Sequence, residues 1–153
     1  IVGTGSRCNQ AGLKQVSDTF QEMGVKNIIT LSIARNQNHL DGFLSIVDQR
    51  VAVTYPYITP DIIYEELGKR GFEFVEIPSF EEKINFAANS VALEPGRIIM
   101  PKGSPRTVEL LQKKGIEVIE LDLDEIKKGG GSVHCLTAFL KRDDIPVYEV
   151  EEE

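Results

Sequence analysis

Two cysteines, two histidines and no tryptophan are a thin supply for a chain of 153 residues. Cys8 and Cys135 lie at opposite ends, so they make no disulfide framework. No CxxC pair and no His/Cys cluster has the spacing of a zinc site. A reducing cytoplasm is the expected setting. Basic residues are also scarce: 17 Lys and Arg stand against 24 Asp and Glu, for a net charge of -7 and a pI near 4.9. That balance leaves no basic patch for nucleic acid or an anionic membrane, so neither is expected as a partner. No apolar run approaches the roughly 18 residues that span a bilayer. The short apolar start lacks the basic flank of a secretory leader. The first residue is Ile1 rather than methionine, and the expectation is that residues upstream of it were removed or not included.

What remains is an ordinary composition, 41% hydrophobic and 27% charged, enough for a single α/β domain over 1–153 with its own core. Strands and helices alternate in a repeating order. Residues 42–47 (GFLSIV) and 51–55 read as a hairpin about a turn at 48–50. Pro60 opens a helix that Gly71 stops, and 72–77 (FEFVEI) alternates as a strand. A short helical connector follows Pro78. The order then recurs: strand 90–93, turn 94–96, strand 97–100, a helix capped by Ser104 and stopped at Gly115, and strand 116–121. GKRGFEFVEI and QKKGIEVIEL align directly. The start fits the same template without its first strand: 1–3, a helix from 10 capped by Asn9, then strand 28–33. The expected modules are about 1–35 (incomplete), 40–78 and 89–122, with a closing segment at 129–150. A strand-strand-helix-strand unit cannot bury both faces alone and needs neighbours.

Three stretches carry reactive groups. In NHLDGF, His39 and Asp41 are two apart, so an extended backbone points both to one side. Such a pair suits proton transfer or cation binding, and equally a surface or capping role. In GGGSVHCLT, at 129–137, three glycines precede Cys135. Glycine is costly to order and is kept where backbone must approach something closely. Cys135 is then either a nucleophile at the end of a shaped loop or a small inert hydrophobe before an apolar strand, LTAFL. His134, adjacent in an extended segment, points the other way and reads as structural, as does Cys8. In GSRCN, Arg7 is a candidate anion ligand or a solvated arginine at a helix start.

VGTGSRCN, HLDGFLSIVD, NSVALEPGRIIMP and GGGSVHCLT, in this order along the whole chain, resemble the C-terminal part of an arginine deiminase or amidinotransferase. These belong to the guanidino-group-modifying (pentein) superfamily. The resemblance implies an α/β propeller of five strand-strand-helix-strand modules about a central site, with about half of the ring in this chain. It implies Cys135 as the nucleophile on the guanidinium carbon, His39 as the acid/base, Asp41 as a carboxylate holding the guanidinium, and Arg7 as a ligand for a substrate carboxylate. Cys135 and His39 are then expected across a common cavity. The superfamily's other guanidinium carboxylates have no counterpart here, since no FEGGD-like segment occurs.

The implied activity is hydrolysis of an arginine-like guanidine through an amidino-thioether. Amidinotransferase and agmatine or dimethylarginine hydrolase are the alternatives, and a non-catalytic binding propeller is a further one. No metal or organic cofactor is implied. The chain by itself is expected to be inactive, and to form a homo-oligomer or pair with an N-terminal portion, because unpaired module edges attract partners.

Overall fold

A computed structural model describes residues 1–35 and 37–143. It is a mixed α/β structure with three separate sheets. In the first, β1 (Val2–Thr4) runs parallel to β2 (Thr30–Ser32), joined by helix α1 (Gln10–Glu22). Asn9 caps α1 as its sequence position predicts, its side-chain oxygen accepting from Gly12 N at 2.9 Å.

The second sheet holds β3 (Leu44–Asp48), β4 (Val51–Thr54) and β5 (Glu73–Glu76) in that order. β3 and β4 are antiparallel, and β4 and β5 are parallel across helix α2 (Asp61–Gly68). Helix α3 (Phe80–Ile84) leads to the third sheet: β6 (Val91–Glu94), β7 (Arg97–Pro101) and β8 (Glu117–Leu121), with helix α4 (Pro105–Lys113) before the last strand. The short helix α5 (Asp124–Lys127) follows.

The second and third sheets share their construction down to the irregularities. Ile46 faces Ala52 where Ala92 faces Ile98, and each hairpin shifts register just before its two-residue turn. Gly96, at φ 79°, makes the second of these turns, a backbone shape that a side chain disfavours. The two sheets meet edge to edge. Gly96 N donates to Val47 O at 3.1 Å, and the Ser45 and Ser90 hydroxyls lie 2.8 Å apart. Beneath them is the core, where Phe43, Ile63, Ile98 and Leu111 are completely buried. Each such side chain contributes about 1.5–3 kcal/mol by leaving water.

Several sequence expectations shift here. Residues 42 and 43 are not strand: Leu40–Gly42 forms a single 3-10 turn, and β3 starts at Leu44. Pro60 occupies the capping position of α2 rather than its first turn. Ser104 stands at the start of α4 but makes no side-chain cap. Its place is taken by Glu82, a 5% exposed carboxylate from α3. Glu82 accepts from Arg106 N at 3.0 Å, Thr107 N at 2.9 Å and Thr107 Oγ1 at 2.6 Å. A carboxylate suits this place, because a helix N-terminus presents unpaired N–H groups and positive dipole. LTAFL forms no strand; His134–Leu136 is a second 3-10 turn, and 137–140 have no regular structure. Of the expected closing segment 129–150, residues 144–150 lie outside the described residues. No helix among the described residues is long and apolar enough to cross a membrane.

Candidate active site

Three segments converge where the second and third sheets meet. Asp41 arrives on the 3-10 turn ahead of β3, which the buried Phe43 and Leu44 anchor from below. Asn89 arrives on the turn between α3 and β6, and is 2% exposed. His134 and Cys135 arrive on the turn after the glycine run, anchored by the buried Ser132 and Val133.

Their contacts form one cluster about Asp41 Oδ2. That oxygen accepts from Asn89 Nδ2 at 3.0 Å, lies 3.0 Å from His134 Nδ1 and accepts from the Cys135 thiol at 3.7 Å. Asn89 Nδ2 is also 3.4 Å from Cys135 Sγ. Asn89 Oδ1 accepts the backbone N–H of His134 at 2.9 Å. The thiol itself is exposed and free. A carboxylate, an imidazole and an accessible thiol on one patch can hold a planar cation, present it to sulfur and move a proton.

Of the residues picked out by sequence, Asp41 and Cys135 come together although 94 positions separate them. His39 is exposed, and Arg7 is exposed in the loop between β1 and α1. Among the described residues no hydrogen bond joins either of them to Asp41 or Cys135. The Arg7 loop is nonetheless tied to the His39 segment, since Ser6 Oγ donates to Asn38 Oδ1 at 2.9 Å. Two open clefts, of about 430 and 780 Å³, are lined by other residues. Neither cleft includes Asp41, Asn89, His134 or Cys135. Among the described residues no group of three or more His, Cys, Asp or Glu side chains is placed to hold a metal ion.

Alternation along an extended segment would turn His134 away from Cys135. The 3-10 turn replaces the extended backbone on which that alternation depends, and both side chains reach Asp41. Asn89 does not stand out by residue type. Its one visible signal was its place directly before a strand in the NSVAL stretch.

The glycine run has separate reasons at separate positions. Gly130 has φ 82°, a left-handed backbone that a side chain disfavours by about 1–2 kcal/mol. A methyl group at Gly131 would lie 3.3 Å from Cβ and 3.4 Å from Sγ of Cys135. Gly130→Ala is therefore expected to lower stability by about 1 kcal/mol, read as a reduced urea midpoint, with Cys135 alkylation unchanged. Gly131→Ala is expected to do the opposite, slowing alkylation about threefold to tenfold by displacing the thiol. Equal behaviour of the two variants in both assays would contradict this assignment.

Comparison with known proteins gives consistent findings. The arginine deiminase family model matches residues 59–142. Over 144 residues the chain is 29% identical to an uncharacterized protein, YkgA, of Bacillus subtilis (strain 168), covering 94% of this chain and 48% of that protein. Over 178 residues it is 24% identical to an arginine deiminase of Streptococcus equi subsp. zooepidemicus, covering 94% and 43% respectively. Among solved structures, it matches a DDAH from Pseudomonas aeruginosa, a cysteine-to-serine mutant complexed with citrulline. The TM-score is 0.68 at 26% identity, over 86% of this chain and 47% of that one. The chain spans about half the length of the curated relatives it matches.

Proposed function

Because the chain belongs to the arginine deiminase family, we propose that it carries the nucleophile-bearing half of a guanidino-group hydrolase, with arginine to citrulline and ammonia as the reaction. The observation that carries this reading is the 3.7 Å approach of the Cys135 thiol to Asp41 Oδ2. A carboxylate beside an accessible thiol suits a cationic guanidinium: the charge is met by Asp41 while the central carbon lies near sulfur.

In the proposed cycle the Cys135 thiolate attacks the guanidinium carbon and a C–S bond forms. The C–N bond to the departing nitrogen breaks as that nitrogen takes a proton, and ammonia leaves. Water then adds to the amidino-thioether carbon, giving one proton to the His39 imidazole, which had protonated the departing nitrogen. The C–S bond breaks, the thiolate is restored, and the remaining hydroxyl proton passes through solvent to the released ammonia, leaving the neutral urea group of the product. An amine in place of water would give amidino transfer instead, and a substituted guanidine would release a substituted amine. Arg7 favours a substrate bearing a carboxylate, through an ion pair to its guanidinium. The modules about 1–35, 40–78 and 89–122 are read as blades of a pentein propeller, about half of the ring. The remaining length found in the relatives would supply further carboxylates around the guanidinium.

His39 is the proposed proton carrier. A second reading has its own observation: the imidazole beside Asp41 is that of His134, at 3.0 Å. Two variants of the complete protein separate them. His39→Gln is expected to lower citrulline formation from arginine about 10²-fold or more, and His134→Gln less than tenfold. The reverse order would transfer the proton role to His134. Full turnover in both variants would remove the acid/base step from this site.

A further inference from the structure

We propose that Asn89 is a positioning residue for the nucleophile, holding the Cys135 thiol and the Asp41 carboxylate at one fixed separation through its two amide hydrogens. The inference rests on the reading of Cys135 as nucleophile and adds a residue to it.

The orientation of the Asn89 amide is decided by chemistry. A backbone N–H can only donate, so the atom facing His134 N at 2.9 Å is the oxygen. The nitrogen therefore faces Asp41 Oδ2 at 3.0 Å and Cys135 Sγ at 3.4 Å. An amide nitrogen carries two hydrogens, one for each. Asp41 can only accept when ionised, and a thiolate can only accept. Once the thiol gives up the proton it shares with Asp41, two anionic acceptors face each other, and Asn89 is the donor that stands between them.

Its own placement is rigid. Asn89 is 2% exposed, and its backbone N–H donates to Phe86 O at 2.8 Å. The next residue, Ser90, is tied to Ser45 on β3. Phe86 adopts φ 64°, the one left-handed residue other than glycine among those described. A bulky side chain there costs about 1–3 kcal/mol, a strain that persists only where the surroundings fix it. The strained turn delivers Asn89 to the point where three segments meet.

Two roles are separable. As a mere tether, Asn89 would act only through its oxygen on the glycine loop. As a positioning residue, it acts through its nitrogen. Asn89→Asp keeps the acceptor for His134 N–H and replaces the donor by a second acceptor, whereas Asn89→Leu removes both.

The test measures iodoacetamide alkylation of Cys135 at pH 8 in the full chain, in a Cys8→Ser background, with circular dichroism to confirm folding. Both Asn89 variants are expected to label at least tenfold more slowly than the parent. Parent-like labelling of folded Asn89→Asp would overturn the inference while leaving the nucleophile reading intact. Labelling of Cys135 in the unmutated chain no faster than that of Cys8 would overturn both. Should neither variant fold, the side-chain NH2 resonances of Asn89 in the ¹⁵N-labelled parent decide. They are expected to shift when Cys135 is alkylated, and unshifted resonances would overturn the inference.

Discussion

Replacing Cys135 by alanine is expected to abolish the fast alkylation of this chain and, if the proposed reaction holds for the chain joined to the remaining length of its relatives, to lower citrulline formation by about 10⁴-fold or more. The reason is that in the proposed reaction no neighbour can replace sulfur in the bond-forming step. The nearby groups, Asp41, Asn89 and His134, place charge and protons but offer no comparable nucleophile. The unmutated chain carries its own control. Cys8 is half-buried, and its thiol donates to the Asn9 carbonyl at 3.5 Å. Cys135 is exposed and faces an amide donor. Iodoacetamide should therefore modify Cys135 at least tenfold faster than Cys8, and unfolding in urea should erase the difference. A cationic amidine alkylator should widen the gap further, because Asp41 attracts the same planar charge that a guanidinium carries. Slow and equal labelling of both thiols in the folded chain would favour an inert cysteine and a binding role for the fold.

Legibility from sequence followed the range of the interaction. The hairpins and their turns rest on two-residue alternation and on Gly96, both local, and the strands formed within a residue or two of expectation. Helix α1 began where Asn9 announced it. Failures came where a distant group outbid a local one. Ser104 is the local candidate for capping α4, yet Glu82 from another helix does so. LTAFL has the composition of a strand, but composition supplies no partner for its backbone, and no strand forms. At the site, Asp41 and Cys135 stood out by residue type and setting. Asn89 did not, because an amide becomes informative only when one sees what its two ends face. The direction of His134 depends on the backbone: alternation of side chains presumes an extended chain, and the glycine run leads into a 3-10 turn instead.

Replacing Glu82 by alanine is expected to destabilise the fold by about 3–4 kcal/mol, the largest stability effect of any single substitution considered. Three hydrogen bonds to a charged acceptor disappear together, and the N–H groups of Arg106 and Thr107 and the Thr107 hydroxyl lose their partner. Thr107 is completely buried, so water cannot replace the carboxylate without opening the core. The damage should also travel to the site. Glu82 lies on α3, and the segment from α3 through the Phe86 turn is what carries Asn89. Chemical denaturation should show a lowered urea midpoint, and Cys135 alkylation in the folded fraction should slow with it. Glu82→Gln keeps one acceptor oxygen and should recover about half of the lost stability. An unfolding free energy for Glu82→Ala within about 0.5 kcal/mol of the parent, the range of a surface substitution, would overturn the assignment of Glu82 as the cap of α4.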